Sequence, residues 1–265
     1  MRYVRAGRGA PPLVFVHGFA CSHADWQFQF DFFSNTNEVV ACDLRGHGET
    51  PGRPHECSIE HYGGDVAALI TNLDFSKVIL IGHSMGCRVA LEANRLLSSS
   101  ESAERVAGLI LVDGSRLASG DPDAAESAAR AATEQSGYPA FAENLFRQMF
   151  FSPSAFADAI VARAVRTSAL TGPALWPRMA RWDAGEMDAA LAAVRTPLLA
   201  IQSTTRDAQL RRSPLKPGDT SPWLELLKKS VPGAKIEIIP GAGHFPQLEA
   251  AETVNRLIAG FVQKP

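Results

Sequence analysis

Gly82-His83-Ser84-Met85-Gly86 sets a hydroxyl between two glycines. The apolar run Val78-Ile79-Leu80-Ile81 precedes it, and helical spacing from Met85 to Leu97 follows it. A G-x-S-x-G segment between a strand and a helix forms a strained turn that lifts the serine oxygen clear of the backbone. Bulk at Gly82 or Gly86 would keep strand and helix apart. The start of the helix favours negative charge developing beside it. The chemistry is nucleophilic attack by Ser84, while His83 is expected to pack within the turn rather than react.

A serine nucleophile needs a base. His244 fits, in Gly241-Ala242-Gly243-His244-Phe245-Pro246, after the run Ile236-Glu237-Ile238-Ile239 and before helical spacing from Ala251 to Phe261. His17 and His47 belong to other turns, and His23, His55 and His61 lie in no motif. An imidazole held by a carboxylate is expected to give a rate that rises with pH through about 6 to 7.5. Two aspartates are candidates for that carboxylate. Asp113 ends the run Leu109-Ile110-Leu111-Val112, and Asp207 follows Leu198-Leu199-Ala200-Ile201. The stretch Gln202 to Asp207 is one residue too long and puts Arg206 in the acid's register, so Asp113 is preferred and Asp207 is the alternative. A strand-end aspartate can equally do no more than cap a turn. Oxyanion donors are expected from the backbone N–H groups of Met85 and of Phe19, the latter in His17-Gly18-Phe19.

The elements that must position these groups are short continuous apolar runs ending near His17, Cys42, Ile81, Val112, Ile201 and Ile239. Continuous rather than alternating runs, separated by helical segments, predict a mainly parallel, doubly wound α/β sheet of about seven strands. The rhythm breaks between Ser115 and Val194. Residues 116–190 are expected to form a helical lid inserted in a core made of 1–115 and 191–265. Its apolar side chains are expected mostly to pack lid on core, with Phe146, Trp176 and Trp182, together with Phe19, as candidates to line a substrate pocket.

With 265 residues and a formal net charge of −2, the chain suits one large domain and gives no footprint for nucleic acid. No segment is apolar for long enough to span a bilayer, and Met1 to Gly7 has no apolar signal core, so a cytoplasmic location is expected. Cys21, Cys42, Cys57 and Cys87 have neither metal-site nor disulfide-framework spacing and are read as reduced thiols. Neither a metal nor an organic cofactor is expected. A monomer or a homodimer is expected.

Val16-His17-Gly18-Phe19, Asp43-Leu44-Arg45-Gly46-His47-Gly48, Gly82-His83-Ser84-Met85-Gly86 and Gly243-His244-Phe245 together resemble the α/β-hydrolase superfamily, from about Leu13 to the C-terminus. They look like its esterase, C–C hydrolase and cofactor-free haloperoxidase branch. The resemblance implies the α/β-hydrolase fold, a chain order of nucleophile, acid and histidine, and a first hairpin shortened to what Met1 to Arg8 can supply. In some members the acid follows the strand equivalent to Leu109–Val112, as Asp113 does. Cys87 departs from a frequent second glycine. Because the expected lid is apolar and no charged clamp is visible, the activity expected is that of a carboxylesterase on small to medium apolar esters. The alternatives are a C–C bond hydrolase, needing a cation such as Arg147, Arg163, Arg166, Arg178 or Arg181 for a substrate carboxylate, and a non-catalytic ligand receptor on the same scaffold.

Overall fold

The computed structural model describes residues 1–98, 105–152, 154–167, 171–207, 209 and 211–263. The apolar runs become neighbours in one sheet: β1 (Arg2–Ala6), β2 (Leu13–Val16), β3 (Val39–Asp43), β4 (Val78–His83), β5 (Val106–Val112) and β6 (Leu198–Gln202), followed after the separate hairpin β7 (Thr204–Arg206) and β8 (Arg212–Pro214) by β9 (Lys235–Ile238). The seven-stranded order is β1-β3-β2-β4-β5-β6-β9, parallel throughout except for β1 against β3. This is the α/β-hydrolase fold. Strands β2, β3 and β4 are buried along their whole length because helices cover both faces. Side chains alternate between two cores, Leu13 and Phe15 on one face, Val14 and Val16 on the other.

The helices are α1 (Gln27–Phe33), α2 (Ile59–Asn72), α3 (Met85–Ser98), α4 (Pro122–Ser136), α5 (Tyr138–Arg147), α6 (Ala157–Arg166), α7 (Thr171–Gly185), α8 (Met187–Ala192), α9 (Pro222–Ser230), α10 (Pro246–Glu249) and α11 (Ala251–Val262). Five of them, α4 to α8, fill the break between β5 and β6. Two ionic ties, the first of them fully buried, fix this segment to the rest of the fold. Arg88 of α3 clasps Asp183 of α7 through two bonds of 2.6 and 2.7 Å. Arg163 of α6 clasps Asp25, beyond β2, at 2.6 and 2.7 Å.

Two elements differ from the sequence reading. The apolar runs do not include β1, an edge strand whose residues are almost all exposed; backbone pairing to β3 makes it, and that leaves no burial pattern in the sequence. The stretch after β6 is not a plain loop. It folds into the β7–β8 hairpin, with Thr204 opposite Pro214, Thr205 opposite Ser213 and Arg206 opposite Arg212.

Candidate active site

Ser84 joins β4 to α3 with φ of 54°, a left-handed conformation that is strained for a residue with a Cβ. Its neighbours must be small. A Cβ on Gly82 would stand 2.1 Å from the Gly86 carbonyl oxygen, and one on Gly86 would stand 2.3 Å from that of Val16. Behind the turn, the buried Cys87 thiol donates to the Gly82 carbonyl at 3.2 Å, which is how a larger residue than glycine is accommodated there.

His244 arrives on the loop between β9 and α10. That loop is held from several sides. The His244 N–H donates to the Met149 carbonyl at 2.7 Å, and the Ser203 hydroxyl donates to the Gly243 carbonyl at 2.6 Å. Glu249 accepts from the N–H groups of Gly243 and Phe245 at 3.0 and 3.1 Å, bracketing the histidine. His83 sets its Nε2 2.7 Å from the His244 carbonyl oxygen and packs its ring 4.8 Å from the His244 ring. Burial pushes His83 down to about 3, so it is a neutral donor that positions the loop. The sequence reading missed Glu249; its only signal was an acid a few residues past the histidine at a helix start.

The imidazole is oriented at both nitrogens. Nδ1 lies 2.6 Å from Asp113 Oδ2, and Nε2 lies 2.8 Å from Ser84 Oγ. Asp113 has φ of 45°, which turns its carboxylate across the end of the neighbouring strand β6. There it accepts from the N–H groups of Ser203 and Thr204 at 2.8 Å each and from the Thr204 hydroxyl at 2.5 Å. The residues that follow β6 therefore hold an acid supplied by the end of β5. Asp207 is elsewhere. The hairpin carries it to an exposed tip, where it accepts from the N–H groups of Gln209 and Arg211 at 2.9 Å and from Arg211 Nε at 2.8 Å. It is Asp207 that caps a turn.

The loop after β2 meets the serine from the other side. A Cβ on Gly18 would stand 3.2 Å from the Ser84 Cβ. His17 fixes this loop: Nε2 accepts from the Leu44 N–H at 3.0 Å, so Nδ1 carries the proton and donates to the Gly18 carbonyl at 2.7 Å. Burial lowers His17 to about 4 and keeps it in that neutral form. The Asp43–Gly48 segment is likewise structural, since Asp43 accepts from the N–H groups of His23 and Glu49 at 2.8 Å. Phe19 and Met85, the expected oxyanion donors, flank the serine on these two elements.

A narrow cavity opens on Ser84 and His244. Phe19, Leu145, Phe146, Met149, Trp176 and Met179 form its apolar side. Trp182, expected on this lining, is not among the residues that form it; it is buried in the core instead. On an α-helix, Met179 shares the face of Trp176, whereas six residues bring Trp182 about a third of a turn round. The five arginines considered as a clamp are also turned elsewhere. Arg163 is clasped by Asp25, Arg178 donates to the Cys57 carbonyl, and Arg181 and Arg147 pair with helix carboxylates. Arg166 is exposed. The cavity does contain cations, but from other elements: Arg88, Arg206 and Arg212. Arg212 holds Nη2 3.2 Å from His244 Nε2. Burial, and then Arg212, Arg206 and Arg88, push His244 well below the ordinary imidazole value of 6.5.

Among the described residues no cluster of histidine, cysteine and carboxylate side chains could hold a metal ion, and no helix is long and apolar enough to cross a membrane. All four cysteines are free and buried.

A fold of this topology with a serine elbow and a facing histidine defines a family. The model of the alpha/beta hydrolase family matches residues 13–257, and the chain belongs to that family. The dihydrolipoyllysine-residue acetyltransferase component of the acetoin cleaving system of Pseudomonas putida is 28% identical over 97% of this chain, which spans 65% of that protein's length. A non-heme chloroperoxidase from Burkholderia pyrrocinia is 35% identical over 40% of this chain and 37% of its own. Among solved structures, a thermophilic esterase from Thermogutta terrifontis superposes with a TM-score of 0.78 at 26% identity, covering 99% of this chain and 93% of that one.

Proposed function

We propose that this hydrolase is a serine carboxylesterase acting through an acyl-enzyme on Ser84. The observation that carries the reading is the unbroken line Asp113–His244–Ser84, with contacts of 2.6 and 2.8 Å, at the carboxyl edge of the sheet. His244 Nε2 takes the Ser84 proton as Oγ attacks the ester carbonyl. Asp113 stabilises the imidazolium as it forms. The N–H groups of Phe19 and Met85 receive the oxyanion. His244 then protonates the departing alcohol, and water activated by the same nitrogen releases the acid. The helices inserted between β5 and β6 act as a lid that keeps bulk water from the acyl-enzyme. The likeness to a thermophilic esterase supports ester hydrolysis. A C–C bond hydrolase is the second reading, favoured by the arginines in the cavity.

Ser84→Ala should lower kcat on p-nitrophenyl esters by about 10⁶ and abolish labelling by a fluorophosphonate. A purified variant retaining more than a few per cent of the activity would remove Ser84 from the role.

A further inference from the structure

The three arginines of the cavity are not equivalent. Arg88 is neutralised by its two-bond clasp on Asp183 and also donates to the Ser115 carbonyl at 2.7 Å. The Arg212 side chain is 3% exposed; its Nη1 donates to the Thr204 hydroxyl at 2.7 Å and reaches Asp113 Oδ2 at 3.3 Å, so it shares a carboxylate already engaged by His244. Arg206 forms no ion pair among the described residues. Its Nε and Nη2 are buried and have no hydrogen-bonding partner there, and the Nε of Arg212 is in the same condition. The Arg206 guanidinium lies 5.9 Å from the centre of the Trp176 ring, which steadies a cation without cancelling its charge.

These two arginines are directly opposite each other in the β7–β8 register. Like charges facing across paired strands repel, and buried guanidinium donors without acceptors are costly. The chain bears both costs beside the candidate nucleophile. A carboxylate between the two side chains would remove both, giving the orphaned donors an acceptor and the pair a counter-charge.

We propose that Arg206 and Arg212 form an anion subsite that takes a carboxylate carried by the substrate, so that the esters cleaved at Ser84 are half-esters or other carboxylate-bearing acyl compounds. The substrate-class part rests on the serine-hydrolase reading above; the subsite itself does not. The apolar side of the cavity takes the hydrocarbon between the ester and the carboxylate. Occupation of the subsite also draws on Arg212, whose Nη2 otherwise competes with the Ser84 hydroxyl for the lone pair of His244 Nε2. The anion thus readies the base for the bound ester.

The test compares two esters of equal length, mono-p-nitrophenyl glutarate and p-nitrophenyl valerate, with wild type, Arg206→Met and Arg206→Lys, beside calorimetric binding of glutarate to the same three proteins. The ratio of kcat/KM for glutarate half-ester over valerate should be well above one in wild type. It should fall by about tenfold to a hundredfold in Arg206→Met and recover in part in Arg206→Lys. Glutarate binding should weaken in the same order. A ratio near or below one that Arg206→Met leaves unchanged overturns the proposal. If neither ester is turned over, the esterase reading fails, and the calorimetry decides alone: glutarate bound by wild type and lost in Arg206→Met upholds the subsite, while no binding, or equal binding, overturns it. Circular dichroism excludes a folding defect in the variants.

Discussion

The cavity is bounded by two surfaces of different origin. One comes from strand ends and the elements joined to them and carries Ser84, Arg206, Arg212 and His244, with Asp113 behind the imidazole. The other comes from the segment inserted between β5 and β6 and carries Leu145, Phe146, Met149, Trp176 and Met179. The charged surface is rigidly referenced. Ser84 and Asp113 follow neighbouring parallel strands in fixed register, the Ser84 N–H donating to the Val112 carbonyl and the Asp113 carboxylate accepting from the N–H groups of Ser203 and Thr204. The apolar surface is referenced through a few ion pairs and ring contacts, such as Arg88–Asp183 and Phe19–Trp176, whose centroids are 5.6 Å apart. Positional accuracy, which bond-making chemistry needs, thus lies with the sheet. The apolar shape that receives the hydrocarbon part of a substrate lies with the inserted helices. Substitutions at Ser84, Asp113 and His244 should change rate and proton chemistry, that at Arg206 the preference for a charged acyl group, and those on the second surface the preference in chain length.

The largest effect on this comparison is expected from the acid. Asp113→Asn keeps the shape but removes the charge that stabilises the imidazolium, so kcat should fall by about 10³ to 10⁴ with KM little changed. Asp207→Asn, at the tip of the hairpin that contributes Arg206 and Arg212, should cost less than about tenfold. Steady-state kinetics on folded variants checks both. A severe Asp207 variant beside an active Asp113 variant would break the assignment.

The residues of the charged surface were the more legible ones in the sequence, because a strained turn demands particular residue types. Gly82, Ser84 and Gly86 announce themselves, and His244 follows from the need for a base. The acid was ambiguous for a physical reason. The carboxylate of Asp113 acts on the far side of the neighbouring strand, and only the β5–β6 pairing puts it there. Arg206 was visible in the acid's register, yet its placement in the cavity depends on a hairpin that three-residue strands do not advertise. The apolar surface was the less legible. Trp176 and Trp182 are alike in type and both lie in α7, and only the helix face separates them.

A smaller effect concerns pH. The groups around the imidazole are Asp113 from β5, Arg212 and Arg206 from the hairpin, Arg88 from α3 and His83 from β4. Asp113 favours the imidazolium, whereas burial and the three guanidiniums oppose it. The neutral imidazole is the working form of a base, so lowering its pKa extends activity toward acid. The acid limb of kcat/KM should therefore lie below 6.5, not between about 6 and 7.5 as a carboxylate-held histidine alone suggests. Arg212→Met removes the nearest opposing charge and should move that limb upward. A limb that stays in place in this variant would mean the guanidinium does not act on the base.

The smallest effect on chemistry, and the one that sharpens the comparison most, separates the two tryptophans of α7. Trp176 reaches the cavity, where its ring meets Phe19 and Arg206. Trp182 is 1% exposed within the core and forms no part of the lining. Trp176→Ala should widen the apolar side and shift the preferred acyl chain toward longer neutral p-nitrophenyl esters by severalfold, while acetate ester hydrolysis changes less, because removing a wall contact acts on the part of the substrate that touches it. Trp182→Ala removes no such contact. It leaves a void that the surrounding helices fill only partly, and it should cost about 3–5 kcal/mol of stability with chain-length preference intact. An ester panel read beside thermal unfolding tells the two apart. If Trp182→Ala alone shifts the preference, the face of α7 turned to the substrate is not the one carrying Trp176 and Met179. If neither does, the inserted segment only covers the site, and selection passes to the charged surface.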